Sequence, residues 1–525
     1  MEENRLNIKN LAFTENGALS YASTLNVFAD QFGLAGNYRG RKINDVFKDQ
    51  EALWEENKLY AIKFLFYLRL ITRKTKLNDD TVTSSVQKGQ GCRDEAFKRL
   101  LWFAKNQPDV FYKNIILLPI VGSWKDLWQL MVLDEDLKLN CIDRKKIYSI
   151  IGYGLQIKVH QDLIKKFMPR IISNTKCLTT WKQLTNKYAK EFAKLNNLDF
   201  KSYNKLKSSG NAHTFQKLIC ARRYGEIDWN MIPGKALLLL SSGKFITNHD
   251  LQDDVIEWVN GKSSVNFNGY PYELLNSYRA NPNNIVTNAI VDKQFNELIR
   301  KANENGGIFG NVLCALDTSG SMTGMVAGNI SAYDICISLG IYFSTLNKGS
   351  FHKYVAMFDD TSTMLGLEGG FCDMAKKIIK TRTAWGGTNF QSLIDMIVDT
   401  RKMYPNIPLE DYCSTILVVS DMEFNATGSI STNYEEMKRK LYEVFPEDFV
   451  DNMRFIWWNV ASRNKQFPGE VGVGMQFFSG FDGSIMSLIL GGEAKKLEEE
   501  KGRPLTTEEM IDLALSQEIF NYVTL

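Results

Sequence analysis

The chain of 525 residues is 44% hydrophobic, 23% charged and 12% aromatic, an ordinary globular composition that excludes a mainly disordered protein. Its 63 basic and 60 acidic residues give a net charge of +3, so the overall balance indicates no particular acidic or nucleic-acid partner. The sequence opens without the apolar core of a signal peptide, and no apolar run approaches the roughly 18 residues of a membrane span. The eight cysteines are scattered without any C-x-x-C pair, which favours a reducing compartment. We therefore expect a soluble, cytoplasmic protein that does not enter a membrane.

Residues 50–300 carry the apolar spacing of successive α-helices with short breaks between them. The segment 59–71 is apolar on nearly every side, with only Lys63 and Arg69 charged, which is typical of a helix enclosed by neighbours. Helices that need partners on two sides predict a layered array of helical pairs, although the sequence has no fixed repeat period. We predict an all-α helical-repeat module of HEAT-like type over residues 1–300.

The pattern changes after Gly306-Gly307, where short apolar runs alternate with stretches long enough for helices. This alternation predicts an α/β domain with a mainly parallel sheet over residues 301–525. Thr506, followed three residues later by Glu509, predicts a capping box and a final helix that ends at about residue 521. The predicted strands are 311–317, 353–359, 414–421, 453–460 and 475–481.

Three oxygen-bearing side chains crowd the turn after the first predicted strand, in the D-x-S-x-S sequence of Asp317, Ser319 and Ser321. Mg²⁺ prefers oxygen ligands, so the two serines are candidate direct ligands, and Asp317 can supply charge and orient a ligand or bound water. Alone the motif is a weak signal, because strand-to-helix turns favour Asp and Ser as capping residues.

Two further segments bring oxygen atoms to predicted strand ends. Thr388 follows two glycines in the sequence WGGTN, and Asp421 ends the apolar run TILVVSD. The carboxyl ends of parallel strands meet at one edge of the sheet, where open α/β folds bind their ligands. We therefore expect these two residues to lie beside the D-x-S-x-S turn.

In their order, these motifs resemble the von Willebrand factor A domain with its metal-ion-dependent adhesion site, with matches at Asp317, Ser319, Ser321, Thr388 and Asp421. The resemblance covers residues 307–525. It implies a Rossmann-like fold and a bound Mg²⁺ or Mn²⁺. It also implies an open coordination position that an acidic group of a protein partner completes.

Three short segments of the helical half are similar to parts of the helical module of the Ro autoantigen (TROVE) family: KGQGCR at 88–93, which leads into a predicted helix, VGSWKDLWQL at 121–130 and WNMIPGKALLLL at 229–240. A related, less characterised group has the same order of helical module and A domain, and the sequence does not separate the two. The resemblance covers almost the whole chain. It implies a helical-repeat ring that binds structured or misfolded non-coding RNA without catalysing a reaction.

Positive charge is concentrated in residues 141–225, where 18 basic and 4 acidic residues give +14 and leave −11 for the rest. This is the electrostatic footprint of phosphate binding, although lysine-rich helix faces are often merely solvated. Arg222-Arg223 would either clamp phosphate or pair with a neighbouring helix, and His213 is either an RNA contact or an ordinary loop residue. The candidate RNA-binding residues are Lys182, Lys187, Lys190, Lys194, Lys201, Lys205, Lys207, His213, Arg222 and Arg223.

The sequence thus favours a non-enzymatic RNA-binding protein whose A domain docks a partner through a metal. The alternative is a protein-interaction scaffold with metal-dependent partner binding and no RNA. A more remote alternative is a Mg²⁺-dependent nuclease, which is disfavoured because the ligand set has little carboxylate charge and no general base is legible. Asp359-Asp360 either extends the metal site or forms a solvated turn.

Overall fold

The computed structural model describes residues 10–173, 179–209, 215–261, 265, 267–304, 306–307, 310–381, 385–461, 463 and 465–525. The chain divides into two compact units. The first unit is built from Met1–Arg39 and Phe215–Ala514, and the second from Gly40–Thr214 and Leu515–Leu525. The boundary predicted at residue 300 marks a change from a helical to an α/β sequence pattern. The two compact units are a different division of the chain, so that boundary stays a prediction.

The first unit begins with a short antiparallel hairpin that the sequence did not predict. Its strands pair Leu11 with Tyr21 and Phe13 with Leu19, and a helix follows whose first turn is capped by the Asn26 side chain. Three-residue strands give no measurable periodicity, which explains why an all-α pattern was expected here. The elements are β1 (Leu11–Phe13), β2 (Leu19–Tyr21) and α1 (Val27–Leu34).

The second unit confirms the helical character predicted for this part of the chain. Every residue from Phe64 to Leu70 is buried, as expected for an enclosed helix. Arg69 is tolerated there because its Nε donates to Asp126 Oδ2 at 2.8 Å. The helices are α2 (Ile43–Glu56), α3 (Lys58–Arg69), α4 (Arg93–Asn106), α5 (Pro108–Asn114), α6 (Leu118–Val121), α7 (Lys125–Asp136), α8 (Arg144–Gly154), α9 (Lys158–Phe167), α10 (Thr180–Leu195) and α11 (Phe200–Ser208).

The chain then returns to the first unit through further helices that lead to the sheet. Among the described residues, no helix combines the length and the apolar character needed to cross a membrane. These helices are α12 (Phe215–Cys220), α13 (Gly234–Ser242), α14 (Phe245–Asn248), α15 (Gln252–Asn260), α16 (Pro271–Ala280) and α17 (Ile285–Glu304).

A six-stranded sheet forms the centre of the first unit, and all five predicted strands are confirmed within two residues at each end. The elements from here on are β3 (Val312–Asp317), β4 (Met325–Ala327), β5 (Ile330–Ser331), α18 (Ala332–Leu346), β6 (Tyr354–Phe358), β7 (Ser362–Gly366), α19 (Phe371–Thr381), α20 (Phe390–Met403), β8 (Thr415–Ser420), α21 (Asn433–Tyr442), α22 (Glu447–Asp451), β9 (Arg454–Asn459), β10 (Met475–Ser479), α23 (Met486–Ile489), α24 (Gly492–Lys501) and α25 (Thr507–Leu515).

The strand order is β10-β9-β8-β3-β6-β7, and only the edge strand β7 runs antiparallel to its neighbour. The sheet therefore grows outward from β3 on one side and then from β8 on the other. The direction of winding reverses between these two strands, which is the point where open α/β sheets leave a crevice for ligands. Asp317 ends β3 and Asp421 directly follows β8, so both lie at this crevice.

The final helix is capped as predicted but ends earlier. Thr506 Oγ1 accepts from the Glu509 amide at 3.2 Å, and Glu509 Oε2 accepts from the Thr506 amide at 2.8 Å. The helix ends at Leu515 and a 3₁₀ turn follows at Glu518–Tyr522. Between the helix and this turn, the Gln517 side chain bonds both the amide and the carbonyl of Lys88.

Candidate metal centre

Asp317 is completely buried at the end of β3, and both of its carboxylate oxygens accept a hydrogen bond. The Ser319 amide donates to Oδ1 at 2.9 Å, and the Ser420 hydroxyl donates to Oδ2 at 2.5 Å. The carboxylate is therefore oriented jointly by the turn after β3 and by the last residue of β8. Ser420 was not singled out by the sequence as a partner of this group.

The two motif serines lie side by side in the turn. Ser319 Oγ and Ser321 Oγ are 3.1 Å apart, and Ser319 is buried. The Gly320 amide donates to the Gly386 carbonyl at 3.1 Å, which joins this turn to the WGGTN loop despite the 66-residue gap. The structure thus brings the first two predicted motifs together.

Thr388 has a buried hydroxyl that no protein group satisfies. Its side chain is 1% exposed, and Oγ1 has no hydrogen-bond partner. Its main chain is held on both sides by Asn425, whose Oδ1 accepts from the Thr388 amide at 3.1 Å and whose amide donates to the Thr388 carbonyl at 2.9 Å. An unsatisfied buried polar group costs about 1–3 kcal/mol, so an oxygen held this firmly fits a ligand for a cation.

Asp421 adds a second buried carboxylate to the same crevice and is 1% exposed. Burial, together with the charge of Asp421, raises the pKa of Asp317 to about 7. Burial also raises the pKa of Asp421, while a hydrogen bond with Ser321 acts in the opposite direction. Two buried carboxylates that repel each other, beside three hydroxyl groups, are a donor set that fits a hard divalent cation.

Asp360 has a role that the sequence left open between metal ligand and solvated turn. Its Oδ1 accepts from the Gly387 amide at 2.7 Å, and its carbonyl accepts from the Asn389 side chain at 3.2 Å. A Cβ atom added to Gly386 would lie 2.0 Å from Asp360 Oδ2. Asp360 therefore holds the WGGTN loop, and the two glycines are needed because the carboxylate approaches the backbone so closely.

The described residues contain no metal site built from His, Cys, Asp and Glu side chains alone. Within the described parts of the chain, no group of three or more His, Cys, Asp and Glu side chains is arranged around a common point. The candidate at the β3–β8 crevice depends instead on hydroxyl oxygens beside the two carboxylates.

The candidate RNA-binding lysines of the second unit fall into two groups. Three make specific contacts: Lys187 Nζ lies 3.0 Å from Glu135 Oε1, Lys207 Nζ lies 3.4 Å from the Lys165 carbonyl, and Lys190 Nζ lies 5.6 Å from the Phe200 ring centre. Burial and the charge of Arg170 also lower the pKa of Lys207. The others have exposed side chains, at Lys182, Lys194, Lys201 and Lys205.

The remaining candidates lie elsewhere or outside the described residues. Arg222 and Arg223 belong to the first unit, where both are exposed. Arg223 Nε donates to Glu226 Oε1 at 2.5 Å, so its partner is three residues away and not on a neighbouring helix. His213 lies outside the residues that the structure describes.

The aromatic residues of the basic segment are divided between the core and the surface. Tyr188, Phe192 and Tyr203 are at most 1% exposed, whereas Phe200 is 53% exposed at the start of α11. The position of Phe200 directly after Asp199, which caps α11 through the Ser202 amide, fixes it at the exposed first turn.

Comparisons with known proteins give three findings. Residues 311–518 match the model of a family described as "Domain of unknown function (DUF7788)". "Uncharacterized protein L728" of Acanthamoeba polyphaga mimivirus is 24% identical over 532 residues, covering 92% of this chain and 85% of the viral protein. The crystal structure of the Deinococcus radiodurans Ro (RSR) protein covers 81% of this chain and 88% of its own, at 12% identity and a TM-score of 0.32. That TM-score is too low to establish a shared fold.

Proposed function

We propose that this chain is a non-enzymatic binding protein that docks an acidic group of a partner through a divalent cation at the β3–β8 crevice. The observation that carries the proposal is Thr388 Oγ1, a buried oxygen without a partner that faces neither a donor nor solvent. The strand order, with its reversal between β3 and β8, supports a von Willebrand factor A-like domain around this site.

In this proposal the cation is Mg²⁺ or Mn²⁺, which supplies a positive centre that an anionic oxygen of the partner completes. Ser319, Ser321 and Thr388 are the direct ligands. Asp317 and Asp421 contribute negative charge and orient ligands or coordinated water, because hydrogen bonds already occupy both oxygens of Asp317.

Calorimetry with Mn²⁺ tests the metal site in the full-length protein. We expect binding at millimolar or lower concentration and a rise in melting temperature, because a ligand that binds only the folded state stabilises it. Ser319→Ala should lose both effects. Wild-type protein that binds neither Mn²⁺ nor Mg²⁺, even with an acidic peptide present, would refute the proposal.

We further propose that the second unit, as a HEAT-like module, binds non-coding RNA on the α10–α11 basic surface, defined by Lys190, Lys194, Phe200, Lys201 and Lys205. Three of the four acidic residues of the segment are already engaged: Asp143 and Asp199 cap helices, and Glu191 accepts from Arg144 Nε at 3.0 Å. The exposed Phe200 ring adds a face on which a base can stack.

The nucleic acid that co-purifies with the protein separates RNA binding from the scaffold alternative. We expect a raised ratio of absorbance at 260 nm to that at 280 nm, which treatment with RNase removes. Protein that purifies without nucleic acid and does not retard a labelled RNA would favour a scaffold. Cleavage of the labelled RNA that requires Mg²⁺ would favour the nuclease alternative.

A further inference from the structure

The N-terminal hairpin, residues 10–21, lies on the loop that follows β8, residues 421–425. Thr14 Oγ1 donates to the Phe424 carbonyl at 2.7 Å, and the Glu15 amide donates to Glu423 Oε2 at 2.8 Å. The Asn16 side chain donates to the Glu423 carbonyl at 2.6 Å. These contacts satisfy main-chain and side-chain groups of the loop that would otherwise be buried without partners.

The hairpin is fixed at both ends. At its turn, Gly17 forms an antiparallel bridge with Asn425. At its far end, Tyr21 exchanges two main-chain hydrogen bonds with Phe467, at 2.9 and 2.8 Å. The hairpin is therefore bound to the segments that leave β8 and β9, and it does not have the free edge of a movable lid.

The loop held in this way carries or supports two of the predicted metal ligands. Asp421 begins the loop. Met422 beside it has a φ of 65°, a backbone conformation that residues other than glycine rarely adopt. Asn425 ends the loop and bonds the Thr388 main chain from both sides. A loop with an unfavourable backbone conformation needs outside contacts to keep one geometry.

Glu423 gives a second reason why the loop needs the hairpin. It is a third carboxylate, 3% exposed and two residues from Asp421. The Glu15 amide supplies a donor to this carboxylate on the hairpin side. Removing the hairpin would deprive the Glu423 carboxylate of this donor.

We propose that the N-terminal hairpin is a positioning element of the metal centre. It holds the 421–425 loop in the conformation that directs Asp421, and through Asn425 the Thr388 hydroxyl, toward the cation. The inference rests on the proposed metal function. Residues 14–17 match no motif, and the inference gives them an effect on a site that is formed more than 300 residues later in the sequence.

A matched pair of threonines allows a test in the full-length protein. Thr14 and Thr507 are both buried, and each hydroxyl donates to a main-chain carbonyl at 2.7 Å, from Thr14 to Phe424 and from Thr507 to Met475. Each hydroxyl also accepts from an amide, at 2.9 and 3.3 Å respectively. Met475 begins β10 and lies at the opposite edge of the sheet from the crevice.

Thr14→Val and Thr507→Val should lower the melting temperature of the metal-free protein by similar amounts. Only Thr14→Val should weaken Mn²⁺ binding, by about tenfold, which lies within the usual range of coupling between linked sites. Because such coupling is reciprocal, saturating Mg²⁺ should also slow hydrogen exchange of the hairpin amides in the wild-type protein. Asn16→Ala, at an exposed side chain, carries the same test if Thr14→Val does not fold.

The outcomes are distinct. Wild-type protein that binds no Mn²⁺ refutes the proposed metal function and this inference with it. Wild-type affinity in Thr14→Val or Asn16→Ala, with hairpin exchange unaffected by Mg²⁺, overturns this inference and leaves the metal function standing. Equal weakening in Thr14→Val and Thr507→Val also overturns it, because the effect would then be general destabilisation.

Discussion

The crevice between β3 and β8 and the α10–α11 basic surface are opposite kinds of candidate site. The crevice is buried, and main-chain hydrogen bonds fix its oxygen atoms before any ligand arrives. The basic surface consists of three exposed lysines, Lys194, Lys201 and Lys205, and of Lys190, whose ammonium group lies over the exposed Phe200 ring. Preorganised oxygens favour a hard divalent cation, whereas exposed ammonium groups give sequence-independent attraction to phosphate.

The two regions also differ in what can be read from the sequence. Motif spacing and strand order define the crevice, because parallel strands bring their carboxyl ends to one edge. The concentration of basic residues in 141–225 defines the basic surface only in part, because a lysine of this segment can pair with an acidic residue outside it. Glu135, which bonds Lys187, lies before residue 141 and was not counted in the segment's charge.

The largest expected effect concerns metal binding at the β3–β8 crevice. Asp317→Asn should abolish Mn²⁺ binding, because it removes a buried charge while nearly preserving shape. The metal-free variant should be at least as stable as wild type at pH 8, since repulsion between Asp317 and Asp421 is relieved. Calorimetry and thermal unfolding measure both quantities, with Asp399→Asn on the exposed face of α20 as the control for charge. Undiminished Mn²⁺ binding would remove Asp317 from the site.

The second prediction concerns the basic surface as a whole. Replacing Lys190, Lys194, Lys201 and Lys205 together by glutamine should reduce the log–log salt slope of RNA binding by roughly 0.7–0.9 per lost phosphate contact, about 3 in all. Fluorescence anisotropy of a labelled RNA across salt concentrations gives the slope. The control carries the same charge change in the first unit, at Lys376, Lys377, Lys495 and Lys496. Equal loss in both variants would indicate attraction to overall charge and no defined surface.

A smaller effect would sharpen the assignment of ligands in the crevice. Thr388→Val should weaken Mn²⁺ binding by about tenfold, because one ligand oxygen is lost. The metal-free variant should be as stable as wild type or up to about 1 kcal/mol more stable, since the hydroxyl has no partner to lose. Thr415→Val, at the start of β8, is the control at the opposite sheet edge. A large loss of metal-free stability in Thr388→Val would mean that the hydroxyl has a structural role.

The smallest effect separates paired from unpaired lysines. Lys187→Gln removes a half-exposed ion pair with Glu135, so the loss of stability should be only about 0–0.5 kcal/mol. The salt slope of RNA binding should stay at its wild-type value, whereas Lys194→Gln should lower it. Chemical denaturation and anisotropy give the two numbers. A reduced slope in Lys187→Gln would show that Lys187 leaves Glu135 when RNA is bound.

Much of the sheet was predictable because its central strands are fully buried apolar runs between turns, as β3 and β8 show. The edge strand β7 was missed, since its half-exposed residues Ser362–Gly366 form no apolar run. The β1–β2 hairpin was missed for a different reason. Its strands are three residues long, and residues far along the chain stabilise them.

The five candidate ligands could be named from spacing, but the groups that position them could not. Ser420, Asp360 and Asn425 each bond a motif residue or its loop. Serine, aspartate and asparagine are common in turns, so no pattern distinguishes these residues until the strands are in register. The paired glycines of WGGTN were the one signal of close approach, and they did not identify Asp360 as the partner.

The position of the hairpin in the chain has a consequence for biosynthesis. Thr14 and its acceptor Phe424 are 410 residues apart, so at ribosomal rates of about 5–20 residues per second the acceptor is made roughly 20–80 s after the hairpin. Most of the second unit, Gly40–Thr214, emerges during that interval. The hairpin strands must therefore wait as nascent chain, accessible to chaperones and proteases, until the 421–425 loop has been translated. A fragment that begins at residue 301 would never receive them.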